Sequence, residues 1–454
     1  MCALGQRGQN GSPSLAEDCR PLIGRNDQRP DHDTQQRLLT TDCRPYRSYH
    51  YLFQFGGIMT MRTEKPPTSP PLSPIIVARS TIIICIQTVG CWFVFIPWKL
   101  DMLDLAKKDF GYVLLAFGIG SILSMQITNK VLIPRIGPQC LLPIGMIAFS
   151  IALYSWVTSP GIMMFAILAF PVGFTFGLIN PSATVITVAA ERETGRRLLP
   201  LHHACFSVGS LMGIIVSSLY AATELPPEWL FFTLMLVGIL GGAVCYLLSD
   251  ARIVRTVKAP SEAAQQLRLP SGDTLVFGSI AAVSMGTVGI ILDWSALWLT
   301  RDIGLVLALG GIGIFAFNGT EVLARLFGER IITRFGERVV GTWAMLVGCL
   351  IMIAATYSRE LIPIVIAFGA FGLCSANFLP LLMGVAARRN PDNAAGVVSD
   401  ITTVSFVGFL IGPPIVGLIA EYVSISACMY LLAGIWMVTS LFMRQYFRPL
   451  TKMP

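Results

Sequence analysis

The chain has 454 residues, 54% of them hydrophobic and only 13% charged, with a formal net charge of +7. The charged fraction is about half of the ~25% usual for soluble domains, too little to coat the three or so domains this length would otherwise suggest. The composition therefore excludes a string of soluble domains and points to a polytopic membrane protein. Eleven cysteines with no CxxC and no regular spacing argue against a disulfide framework and a cysteine zinc site. The basic residues are scattered over short loops, which suits orientation in a lipid bilayer better than nucleic-acid binding.

Residues 1–74 are polar and end in the run Lys65-Pro66-Pro67-Thr68-Ser69-Pro70-Pro71. No helical or strand period is sustained there, so a disordered tail is expected. No apolar stretch follows its first charges, so it does not read as a signal peptide. A start at Met59 or Met61 would leave a short basic leader in its place.

From Ile75 onward, apolar stretches of about 17–25 residues alternate with short polar breaks, the length that crosses ~30 Å of hydrocarbon. Twelve begin near residues 76, 110, 139, 161, 200, 229, 274, 304, 339, 361, 397 and 424. The longest break, 249–273, carries Arg252, Arg255, Lys258, Glu262 and Arg268. It reads as a solvated linker between six-helix halves at 75–248 and 274–447, with 448–454 as a short tail. The expected fold is an all-α membrane protein of twelve transmembrane helices in two pseudo-symmetric halves.

Charge orients it. The breaks after helices 2, 4, 6, 8 and 10 hold about fourteen Lys and Arg, and the other six hold about five. By the positive-inside rule both termini are cytoplasmic.

A shift of 199 residues carries Gly90, Gly111 and Gly120 onto Gly289, Gly310 and Gly319. It also carries Arg135, Gly137, Gly173, Pro181, Gly209 and Gly213 onto Arg334, Gly336, Gly372, Pro380, Gly408 and Gly412. Nine matches at one offset indicate a duplicated six-helix unit.

The loops at Arg135-Ile-Gly137 and Arg334-Phe-Gly336 resemble the conserved cytoplasmic loop of the major facilitator superfamily, with Pro134 and Thr333 in place of its aspartate. Trp92, Pro97, Asp101, Gly111 and Gly120 resemble the fucose-permease-like branch of bacterial inner-membrane transporters. So do Glu191-Arg192-Glu193, Leu199-Pro200, His203, Ser207, Gly209, Asp293-Trp294, Arg325 with Gly328, and Phe409 to Pro414 with Gly417 and Glu421. The resemblance implies a secondary or facilitative transporter of a small polar solute, sugar-like or polyol, working by alternating access between parallel halves. It would be a monomer in the inner membrane. Where that branch carries membrane-embedded acids in helices 4 and 7, this chain has Asn180 and Val288, so a proton site is not carried over. Efflux of a drug or metabolite is the alternative, and helix 5 reads Gly213-Ile-Ile without the glycine-proline element of many drug antiporters. A transport-dead sensor on the same scaffold is a further one. No GxSxG, HExxH or P-loop is present, so neither an enzyme nor a cofactor site is expected.

Hydroxyls and amides placed to face a cavity are the expected ligand groups: Ser121, Ser124, Asn180, Ser207, Asn318 and Asn377, with Trp92 beside them. Gating or coupling candidates are His203, Asp293, Glu321, Arg325 and Asp400. His202 and His203 point about 100° apart on a helix and converge on no metal; His203 caps or bonds a neighbouring helix, or gates through its charge. Glu321 and Arg325 lie one turn apart on one face and should pair, since lone intramembrane charges are costly. That pairing makes Glu321 a poor proton carrier. Asp400 reads as a cap near Thr402 and Thr403. Trp294 reads as an interfacial anchor near the outer end of helix 7, beside Asp293. Asp293 and Asp400 lie toward opposite faces on this reading, so transport not driven by protons is expected. Pro413-Pro414 removes two backbone donors from helix 11.

Overall fold

A computed structural model describes residues 74–195, 198–248 and 272–447 of the chain. The expected tail, most of the 249–273 linker and residues 448–454 lie outside the described residues. Within them twelve helices are long and apolar enough to cross a membrane, and there is no strand. We number them α1 Pro74–Leu103, α2 Lys107–Ile136, α3 Pro138–Val157, α4 Ile162–Thr194, α5 Leu201–Ala221 and α6 Pro227–Leu247. The second six are α7 Thr274–Asp302, α8 Leu307–Phe335, α9 Val339–Ser358, α10 Leu361–Arg389, α11 Gly396–Tyr422 and α12 Ile425–Met443. The shortest has 19 residues and the longest 33, and at ~1.5 Å per residue even the shortest spans close to 30 Å. Apolar side chains cover all sides of these helices, the pattern of a helix whose outer face meets lipid. Met163, Leu219, Leu247 and Val438 are accordingly among the most exposed residues.

Packing repeats with the sequence. In the first half α1 packs on α5, α2 on α4 and α3 on α6; in the second α7 packs on α11, α8 on α10 and α9 on α12. Small residues make these approaches close. A Cβ on Gly209 would meet the Ile83 carbonyl, and one on Gly408 would meet that of Ala282. Both partners stand at the same 199-residue offset. The two loop motifs repeat as well: Gly137 (φ 87°) and Gly336 (φ 83°) end their helices in a positive-φ conformation open to glycine. Arg135 and Arg334 are exposed beside them.

The halves meet through α2 with α11, α5 with α8 and α1 with α7. α11 runs as one helix through Pro413 and Pro414, and Gly111 of α2 lies against the backbone of those two prolines and Gly417. The ends of the bundle differ. One, called here the basic face, carries the start of α1 and the loops with Arg135 and Arg334. At the opposite face Arg301 pairs with Asp101, Lys107 Nζ lies 3.7 Å from Asp302 Oδ1, and the Lys107 amide donates to Glu421 Oε2 at 2.9 Å. These links join the first half to the second. Arg301 and Asp302 sit on a π-helical turn, Trp298–Asp302, that closes α7. Such a turn rotates the side chains that follow it relative to an α-helical run.

Candidate functional site

Between the halves lies a cavity of about 300 Å³. Its two walls differ in chemistry. The first half supplies seven aromatic rings: Trp92 and Phe93 on α1, Phe117 on α2, Phe149 and Trp156 on α3, Phe176 on α4 and Phe206 on α5. The second half supplies the charged groups: Asp293 on α7, then Glu321 and Arg325 on α8. Asn318 of α8 and Ser207 and Ser210 of α5 join them, and Phe409 and Pro413 of α11 and Val288 of α7 complete that side.

The aromatic wall is rigid. Trp92 lies 4.5 Å from Trp156 between ring centroids, and Trp156 stacks on Phe165 at 4.8 Å with the rings 3° from parallel. The Trp156 indole donates to the Phe165 carbonyl at 2.8 Å, which fixes the ring. Behind that stack Lys99 is fully buried; its ammonium donates to the Ser159 carbonyl at 2.7 Å and sits 5.5 Å from the Phe165 ring centre. Lys99 is a charged group inside a span that sequence reasoning missed. The signal was present, as a lone lysine among apolar residues shortly before Asp101.

Across the cavity Arg325 donates to Glu321 Oε1 at 2.6 Å. Glu321 is 6% exposed, while the Arg325 side chain is 46% exposed and so reaches the cavity with part of its guanidinium. The Asn318 amide donates to Ser210 Oγ at 2.8 Å, a hydrogen bond that ties the halves together at mid-depth. Asp293 has no hydrogen-bond or ion-pair partner among the described residues, and its carboxylate lines the cavity.

Of the expected ligand groups, Trp92, Ser207 and Asn318 line this cavity; the other four do not. Gly177 of α4 lies against the Ser121 carbonyl and the Ser124 side chain, so the Ser124 hydroxyl is buried in a helix–helix contact. Asn180 accepts from Thr184 Oγ1 at 3.3 Å one turn along α4. Asn377, at the break inside α10, donates to the Ala324 carbonyl at 3.2 Å and pins that break to α8. A polar residue in an apolar helix can serve the cavity or a neighbouring helix, and the linear pattern does not separate the two.

The gating candidates divide similarly. Asp293, Glu321 and Arg325 line one cavity, whereas His203 and Asp400 are not in its lining. Trp294 is fully buried, 5.4 Å from the Phe110 ring, so it is a core residue rather than an interfacial anchor. His203 is exposed near the basic face. The bond to a neighbouring helix belongs instead to His202, which is buried with Nδ1 3.4 Å from Thr187 Oγ1 of α4. Asp400 is half-buried in α11, and Thr402 there donates to the Val398 carbonyl at 2.8 Å.

No protein-family model matches the chain. An uncharacterised MFS-type transporter of Yersinia pestis is 28% identical over 374 residues, 81% of this chain and 94% of that protein. An uncharacterised transporter of Sinorhizobium fredii is 27% identical over 76% of this chain and 90% of its own length. Among solved structures, the nucleoside transporter NupG superposes with a TM-score of 0.66 over 83% of this chain and 99% of its own, at 13% identity. The human organic anion transporter MFSD10 superposes with a TM-score of 0.56 over 81% of this chain and 99% of its own, at 14% identity. Twelve spans in two repeating halves, with a cavity between them, make this chain a multi-pass membrane protein with the fold of the major facilitator transporters, similar along most of its length to proteins described as transporters of that type.

Proposed function

We propose that the chain carries a small organic solute across the bacterial inner membrane by alternating access, with the cavity between the halves as its binding site. On this reading the basic face is cytoplasmic, and the structure is a state closed at the periplasmic end. The observation that carries the reading is the cavity itself, shared by both halves, with charged links joining them at the face opposite the basic loops. Rocking the halves apart at those links would expose the same residues to the other compartment.

The expected sugar-like or polyol substrate has Ser207, Asn318, Asp293, Glu321 and Arg325 to meet its hydroxyls. Seven rings on the facing wall add a large apolar surface, which favours a substrate with an apolar body beside its polar group over a bare polyol. That surface also supports the second reading, export of an amphipathic metabolite. The nucleoside and organic anion carriers named above share the fold, so the fold by itself selects no substrate.

Flux in proteoliposomes holding the purified full chain tests the proposal, using a panel of labelled sugars, polyols and amphipathic metabolites. Saturable flux is expected for some member with no imposed pH gradient, because no acid carried over from the related branch stands ready to couple protons. Absence of flux for every class would remove the carrier reading. Uphill accumulation that collapses with a protonophore would instead make Asp293 or Glu321 a proton carrier.

A further inference from the structure

We propose that the central cavity is selective for a monocationic solute, an ammonium group on an aromatic or aliphatic body, with Asp293 as its counter-ion. The inference rests on the carrier reading only for the passage of that solute, not for its binding.

Three observations converge. First, the charges in the cavity do not cancel. Glu321 is neutralised by Arg325 at 2.6 Å, and Asp293 has no protein partner among the described residues, so the lining holds one uncompensated negative charge. An ionised carboxylate held away from bulk water is stable only when a cation, a donor or a proton meets it. A proton meets that need in the empty site, and the cationic head of a ligand can replace it.

Second, the facing wall is the kind of surface that holds an organic cation. Phe117, Phe176 and Phe206 line it half-buried, beside the more deeply packed Trp92 and Trp156, and the π-faces of such rings attract ammonium groups more strongly when water is excluded. The molecule already uses this chemistry next door, where Lys99 lies against Phe165 and Trp98. An anion would meet those same ring faces unfavourably and would have to compete with Glu321 for Arg325.

Third, the polar groups of the cavity are already largely engaged, Asn318 with Ser210 and Glu321 with Arg325. A neutral polyol would have to break those bonds to pair its several hydroxyls, a penalty for each left unpaired. A monocation with one charged head needs one good acceptor, and Asp293 is one. At about 300 Å³ the cavity is at the small end of the ~300–1,000 Å³ range of ligand sites, which suits a single ring or short chain.

The test uses two probes of one shape, 2-phenylethylamine and 2-phenylethanol, with the purified full chain in lipid nanodiscs. Quenching of tryptophan fluorescence reads occupancy beside Trp92 and Trp156, and calorimetry gives affinity. The amine should bind at least tenfold more tightly than the alcohol. Asp293→Asn should lower amine affinity by roughly tenfold to a hundredfold, the worth of a charge-assisted hydrogen bond, and lower that of the alcohol far less. Glu321→Gln, which frees Arg325, should weaken the amine as well. Equal affinity for amine and alcohol, or no amine binding, would overturn the proposal from the unaltered protein alone. Full amine affinity in Asp293→Asn would overturn the role of that carboxylate. Flux separates the two ideas. Charge-selective binding without transport sinks the carrier reading and leaves this one standing, whereas flux of a neutral solute indifferent to Asp293→Asn does the reverse.

Discussion

A carboxylate that is 6% exposed inside a membrane span needs something to cancel its charge, and for Glu321 that is Arg325 at 2.6 Å. The two partners are not equivalent. Arg325→Met would strand a buried carboxylate, at a cost of about 2–3 kcal/mol. Glu321→Gln would leave a guanidinium that is half in the open and can turn toward water, so its cost should be smaller. The double variant should be milder than Arg325→Met. Melting temperatures of the four proteins check this cycle. Strict additivity would mean that the two side chains act independently despite their contact. The same reasoning separates Asp293 from Glu321: both acids line the cavity, but only one comes with its counter-charge on the same helix.

Glycines let the helix backbones approach closely, which matters because lipid provides little hydrophobic drive for helices to associate. At Gly408 a Cβ would land on the Ala282 backbone, so α11 and α7 would have to separate to admit one. Gly408→Val is expected to destabilise by about 1–3 kcal/mol, the usual range for overpacking. Gly434 of α12 has nothing within 4 Å of its would-be Cβ. Gly434→Ala should be neutral, or stabilising by up to ~1 kcal/mol from helix propensity. Melting temperature and yield of the two variants make the comparison, and equal effects would show that the glycines mark flexibility instead of close packing. The loop glycines 137 and 336 follow a different rule, since there positive φ, not proximity, is what a side chain would strain.

Across the molecule, the halves are latched at the face opposite the basic loops by Arg301 with Asp101, Lys107 with Asp302, and the Lys107 amide with Glu421. These links are partly solvated and individually weak, yet all of them must release together for the cavity to open on that side. Arg301→Gln with Lys107→Gln should shift the population toward the state open there. Spin labels at Leu225 and Tyr357, exposed residues on the two halves at that face, would report it as longer distances. An unchanged distance distribution would show that helix packing alone keeps that end closed.

Composition and period were enough for twelve spans, their approximate starts, and the duplication, because each is a property of consecutive residues. A span must be long and apolar whatever its neighbours are, and a duplicated unit keeps its glycines at a constant offset. The Glu321–Arg325 pair was legible for the same reason, being one turn apart on one helix. Which polar residues face the cavity was not. Ser124, Asn180 and Asn377 sit in apolar runs just as Ser207 and Asn318 do, and only the rotation of each helix against its neighbours keeps the first three out of the cavity lining. Trp294 was misplaced on the same account, its depth along α7 suggesting an interface while packing against Phe110 buries it. The asymmetry of the site, with rings from the first half and charges from the second, joins residues some 200 positions apart. It exists only once the two halves are docked, since a cavity belongs to the space between helices and not to any one of them.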